Sequence, residues 1–169
     1  MWDSSNYYTI LFFMINNLLA ILTLDNIYLI ANLGVIPFWL LLVTMPNHAI
    51  THILVQSIVA PVLLASAYCF VAYKIFLKGN IFDSFELYSG LDGLYSLFSD
   101  EAFLLVFWLH FLSISLFAGA WIVRDSNKYA IWRFLVFISL ILTYFTGPVG
   151  LIFYWIIRVF FAKKISLND

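Results

Sequence analysis

Trp108-Leu-His110-Phe-Leu-Ser113-Ile-Ser115-Leu-Phe-Ala-Gly119-Ala-Trp121-Ile-Val-Arg124-Asp125 is the stretch on which the reading of this chain turns. It belongs to a run without formal charge from Ala102 to Val123, about 33 Å of helix at about 1.5 Å per residue, enough to cross a bilayer. A histidine and two serines sit where lipid favours leucine, and Arg124-Asp125 closes the run at a membrane face. The stretch therefore reads as the third helix of a four-helix core and as the first place to look for chemistry.

The rest of the chain agrees with a bilayer setting. Of 169 residues, 64% are hydrophobic and 10% charged, with a mean hydropathy of +1.01. A soluble domain carries about 25% charged residues, so the composition is that of an integral membrane protein. A net charge of −1 gives no footing for nucleic acid. The single cysteine, Cys69, cannot form an internal disulfide and reads as a small packing residue. Met1-Trp-Asp-Ser-Ser lacks the basic start of a secretory signal, and no Arg- and Ser-rich transit segment follows. The expected location is a bacterial inner membrane, or a plastid membrane in a eukaryote.

Residues 1–24 contain an uncharged apolar run with Thr9, Asn16 and Thr23 on one helical face, expected to span or to lie at the interface. Thr23 and Asp25 signal the start of a new helix. The stretch from Asn26 to Tyr73 has no lysine, arginine, aspartate or glutamate and is too long for one span. Met45-Pro46-Asn47-His48 is its turn signal, giving helices from about Asn26 to Thr44 and from about Ala49 to Leu77, with kinks at Pro37 and Pro61. Ile81 to Glu101 mixes acids (Asp83, Glu86, Asp92, Asp100, Glu101) with aromatics, as a short interfacial helix would. A fourth core helix from about Ala130 to Phe161 is interrupted at Thr146-Gly147-Pro148-Val149-Gly150. The layout is thus all-α and polytopic: an N-terminal membrane helix in 1–24, a four-helix domain over 25–162, and a polar tail over 163–169. A kinked but continuous fourth helix puts Arg158, Lys163 and Lys164 with Lys74 and Lys78, opposite Arg124, Lys128 and Arg133. Five against three favours a cytoplasmic C-terminus.

Candidate site residues follow from what is costly in lipid. His110 can move a proton or hydrogen-bond a ligand, and it can equally be a structural histidine held by a facing polar group. Ser113 shares its face. Ser115 and Gly119 form a small-xxx-small pair suited to close helix packing. Asn32 is placed to pair across to the third helix. Gly147, Pro148 and Gly150 break the fourth helix, either as a simple kink or as a place where a ligand or helix approaches closely. Tyr154 and Arg158 lie one turn apart; Arg158 can snorkel to the interface or pair with an acid such as Asp92 or Glu101, with Asp125 out of reach on the opposite face. His48 and His52 read as capping and interfacial residues rather than metal ligands. No metal set and no cofactor motif is expected, and three histidines are too few for a histidine-box di-iron enzyme. The expected partners are membrane lipid and, as one option, a second copy or a larger membrane complex.

One ordered set of residues resembles a known family. Asn32…Pro37-x-Trp39…Pro46, Tyr68, Leu91-Asp-Gly93, Trp108-x-His110, Leu116-Phe-x-Gly119-x-Trp121-Ile-x-x-Asp125 and Gly147-Pro148-Val-Gly150-Leu…Tyr154…Arg158 are similar to the abscisic-acid-deficient-four-like, or neoxanthin-deficient, family. The resemblance covers about Asp25 to Ala162. Plant members are plastid membrane proteins needed to convert violaxanthin into neoxanthin, so the resemblance implies a carotenoid or related polyene lipid as ligand and an isomerase-like role. Where the family usually reads His-Tyr-Leu-x-x-Asp-Leu-Phe, this chain reads His110-Phe-Leu-Ser-Ile-Ser115-Leu-Phe. A serine without a base to activate it does not replace a carboxylate as general base. A non-catalytic protein that binds lipid or pigment, or supports a membrane complex, is the alternative.

Overall fold

The computed structural model describes residues 4–57, 59–78, 85, 88 and 90–163. Among these, all regular structure is helical. Helix α1 covers Ser4–Ile21, α2 Leu24–Thr44, α3 a single turn at Ala49–Thr51, α4 Val59–Lys78, α5 Leu91–Phe98, α6 Glu101–Lys128, α7 Arg133–Thr146 and α8 Pro148–Ala162. Three segments are long and apolar enough to cross a membrane: Leu24–Thr44, Ala49–Ile75 and Glu101–Lys128. In α1 the side chains from Tyr8 to Asn17 are all exposed.

Several local expectations hold. Thr23 caps α2, its side chain accepting from the Asn26 amide at 3.2 Å. His48 caps α3 through Nδ1, which accepts from the Ile50 amide at 3.2 Å. The Met45–His48 turn is tied by Thr51 Oγ1, donating to the Met45 carbonyl at 2.6 Å, and by Gln56 Nε2, donating to that of Pro46 at 2.6 Å. The second spanning segment is more broken than a kink at Pro61. It begins as α3, widens into a π-helix at His52–Gln56, and passes through extended Ser57 before α4. The proline ring has no N–H for the carbonyl four residues earlier and collides with it, which places the interruption at Ser57. The short α5 starts at Gly90, whose φ of 133° suits glycine, and Phe98 anchors its end edge-on against Phe103 and Phe107. Asp83, Glu86 and residues 164–169 lie outside the described residues.

Helix α6 is the axis of the bundle. Its buried side, from Leu105 to Ser126, meets α2 and α4 through Val35, Trp39, Leu42, Ala60, Leu64 and Val71. Small residues let neighbours approach closely. A methyl group placed on Gly119 would stand 2.8 Å from the Trp39 ring, which confirms the packing expected of the Ser115-x-x-x-Gly119 face.

The main correction concerns the fourth core helix. It is two short helices, α7 and α8, folded back on each other. Gly147 takes φ 59° and ψ −85° at the reversal, and Pro148 opens α8. The far ends of the two helices meet again, with the Trp132 and Phe161 rings 6.1 Å apart. Close packing needs the glycine at 150, because a methyl there would lie 2.2 Å from the Thr143 backbone nitrogen. Helices of 14 and 15 residues reach about 21 and 22 Å, short of a hydrocarbon core of about 30 Å. The pair is therefore a hairpin whose arms are each shorter than that core and whose two ends lie at one end of the bundle. Its buried hydroxyls are satisfied within the helix, Ser139 Oγ donating to the Leu135 carbonyl and Thr143 Oγ1 to that of Ser139.

This reversal regroups the charges. Arg158 and Lys163 now share an end of the bundle with Arg124, Lys128 and Arg133, not with Lys74 and Lys78. At the opposite end stand Asp25, Asp100 and Glu101, near Lys74, which donates to the Leu22 carbonyl at 3.3 Å. The C-terminal end is still the more basic one, for a different set of residues.

Candidate functional site

The same reversal builds a site that the sequence reading had excluded. Arg158, only 1% exposed, donates through Nε to Asp125 Oδ2 at 2.8 Å. Its other nitrogens reach toward Tyr129, Nη2 donating to the hydroxyl at 3.3 Å, while the guanidinium carbon lies 4.9 Å from the ring centroid. Tyr154, fully buried, donates its hydroxyl to the same Asp125 oxygen at 2.7 Å. Asp92 and Glu101 are not the partners of Arg158; Asp125 is. Asp125 appears on the wrong face only if α8 continues the direction of α7. Once the chain turns back at Gly147, Tyr154 and Arg158 run alongside the last turns of α6.

In hydrocarbon such a group survives because every strong donor has an acceptor. The carboxylate takes two charge-assisted or phenolic donors on one oxygen, and the tyrosine ring stacks under the guanidinium. Trp121 closes the site on the lipid side, its ring edge-on to Tyr154 with centroids 5.4 Å apart.

In front of Trp121 lies an open groove of about 480 Å³ between α6 and α8, lined by Phe117, Trp121, Leu151, Ile152 and Trp155. Phe117, Trp121 and Leu151 are among the residues that carry the family resemblance, as are Asp125, Tyr154 and Arg158 behind them. His110 joins the same face of α6. His110, Ile114, Phe117 and Trp121 follow at intervals of four, three and four residues, and His110, Ile114 and Phe117 are exposed. His110 stands beside Tyr68 of α4, ring centroids 6.1 Å apart, some 16 Å along α6 from Trp121 at about 1.5 Å per residue.

The other expected residues divide between this stripe and the packing. Ser113 points into the α4 seam and donates to the Pro61 carbonyl at 3.1 Å. Ser115 is buried, and its hydroxyl would lie 3.4 Å from a methyl placed on Gly147, so it backs the tip of the hairpin. Asn32 does pair across to α6, accepting from Trp108 Nε1 at 3.1 Å while donating to the Tyr28 carbonyl at 2.8 Å. Tyr129 was missed by the sequence reading; its signal was an aromatic within one turn of an Arg-Asp pair at a membrane face.

Three segments long and apolar enough to span, a short helical hairpin and an ion pair that pins the hairpin to α6 define a polytopic helical membrane protein with one polar centre at one end of the bundle. The chain belongs to the ABA DEFICIENT 4-like family, whose profile matches residues 26–154. Among curated proteins it is similar to Protein ABA DEFICIENT 4, chloroplastic, of Arabidopsis thaliana, with 27% identity over 105 residues, 60% of this chain. It spans about half the length of that relative, 48% of which is covered. No solved structure matches the chain.

Proposed function

We propose that this protein binds a carotenoid or related polyene lipid from within the bilayer and acts on it in an isomerase-like way. The observation that carries the reading is the α6 stripe from Trp121 to His110. A rod-shaped apolar ligand fits a straight, lipid-open row of aromatic and aliphatic side chains, and the groove between α6 and α8 holds one end of it. His110 then lies at the other end of the row as the candidate acid–base group, the one histidine within a spanning helix that faces the groove side of α6. Asp125, Tyr154 and Arg158 hold the wall of the groove in place rather than the reacting atoms. Membrane lipid is the competing occupant, and the membrane is that of a bacterium or a plastid.

A second reading, a non-catalytic pigment- or lipid-binding protein, is favoured by one observation. The carboxylate nearest the groove, Asp125, is already engaged by Arg158 and Tyr154, which leaves His110 without an acidic partner on the stripe. Both readings are tested together by expressing the full chain in a carotenoid-making host and purifying it in mild detergent. Visible absorbance co-eluting with the protein, lost in Trp121→Ala, is the expected result for binding. A changed polyene profile by chromatography, abolished in His110→Ala while pigment still co-elutes, is expected for catalysis. Colourless protein at normal yield with an unchanged polyene profile sinks both; pigment that is indifferent to His110→Ala, with no product, leaves the binding protein.

A further inference from the structure

At the acidic end of the bundle a second cavity, of about 330 Å³, opens between the first turns of α2 and α6. Its rim carries Asp25 and Glu101, both exposed; its walls are Tyr28 and Trp108, with ring centroids 6.5 Å apart and planes tilted by 41°; Leu24 and Leu105 line it below. No lysine, arginine or histidine is among its described lining residues. The indole N–H of Trp108 is given to Asn32, so the ring is held in one orientation, and Phe111 stacks against it at 5.4 Å to continue the apolar surface toward mid-bilayer. Lys74, toward the α1–α2 junction, is turned onto the Leu22 carbonyl and lies 4.7 Å from the Phe70 ring centroid.

Each carboxylate alone is accounted for by the positive end of its helix. Parallel packing of α2 and α6 brings the two acids to the rim of one cavity, with two aromatic rings beside them and an apolar surface leading into the membrane. Carboxylates above and ring faces at the side are what an ammonium group wants, and an anionic or negatively tipped headgroup meets two like charges at the same rim. We propose that this cavity holds a phospholipid with an ammonium headgroup, drawn from the leaflet at the acidic end, with its acyl chains running down the Trp108–Phe111 surface. The site is separate from the α6–α8 groove, and it does not depend on what that groove binds.

The test uses the full chain in detergent, incubated with equal amounts of phosphatidylethanolamine and phosphatidylglycerol of matched acyl chains, and reads retained lipid by native mass spectrometry. Retention of phosphatidylethanolamine is expected to exceed that of phosphatidylglycerol by about five- to thirtyfold, the ratio given by an ammonium contact between the exposed and the desolvated limit. The double variant Asp25→Asn, Glu101→Gln should keep the wild-type melting temperature and lose the preference, and Trp108→Phe should retain it. Equal retention of the two lipids overturns the proposal, as does a preference that survives in the double variant. Competition by free ethanolamine as strong as by the lipid also overturns it, because it identifies a site for small cations only.

Discussion

The two ends of α6 solve the problem of polarity in a membrane in opposite ways. At its first turns, Asp100 and Glu101 stay exposed, Asp100 capping the helix by accepting from the Phe103 amide at 2.8 Å. The polar contact nearest that end is a neutral one, Trp108 to Asn32, beside an open cavity. At its last turns a full ion pair is buried, and small residues, Ala118, Gly119, Ala120 and Ser126, let α2 and the hairpin close in around it. Close approach is what makes the second solution possible. With the helices this close, Asp125 meets Arg158 and Tyr154 at hydrogen-bond distance, and the cost of desolvation is offset by their pairing.

The largest effect should come from halving that pair. Arg158→Ala or Asp125→Ala leaves one buried charge without its partner, and each is expected to lower stability by about 3–5 kcal/mol. Replacing both, Asp125→Leu with Arg158→Met, should recover most of the loss, since a well-packed apolar pair is often as stable as an ionic one. Glu101→Ala at the other end should change stability by less than about 0.5 kcal/mol. Thermal unfolding of the four variants in one detergent measures all of this. If the double replacement is no better than the sum of the singles, the two side chains are not energetically coupled and the contrast between the ends fails.

The next effect belongs to the hairpin that brings Arg158 back. Gly150→Ala pushes a methyl into the Thr143 backbone, where no rotamer change can relieve it, and is expected to cost about 1–3 kcal/mol. Gly119→Ala meets the outer edge of the Trp39 ring at 2.8 Å, a side chain that can be trimmed. Stability lost in Gly119→Ala should therefore return in part with Trp39→Phe, whereas Thr143→Ser should not rescue Gly150→Ala. Rescue of both would mean that α7 and α8 pack less tightly than the backbone contact implies.

How far the sequence could be read follows from which of these features are local. The three spanning segments, the Thr23 and His48 caps and the turn at Met45–His48 rest on run length and on residues a few positions apart. They were legible. Gly147-Pro148 was ambiguous in principle, because the same dipeptide serves a kink or a reversal, and the uncharged interior from Phe134 to Ile157 has the length of a single span. What decides is a contact between α7 and α8 that no run length encodes. The signal that was present is the placement of small and hydroxyl residues on both arms, Thr143 facing Gly150 with Ser139 one turn away on α7, which suits two helices touching rather than one helix bending. Every error about the site, including the partner assigned to Arg158, descends from that one choice.

Deleting a single hydrogen-bond donor at each end is the sharpest test of the contrast. Trp108→Phe removes the donor to Asn32 but keeps an aromatic wall, and membrane hydrogen bonds of this kind average about 0.6 kcal/mol. Asn32 keeps its bond to the Tyr28 carbonyl, so it is not left wholly unsatisfied, and the loss should stay below about 1 kcal/mol. Tyr154→Phe makes the equivalent deletion of one donor at the other end. There the acceptor is a buried carboxylate, and the loss should be about 1.5–3 kcal/mol, the range for hydrogen bonds to charged groups. The two substitutions are matched in kind and differ in the charge of the acceptor. Equal destabilisation by the two would show that Asp125 is better solvated than its 11% side-chain exposure implies, and that the two ends of α6 differ in shape more than in electrostatics.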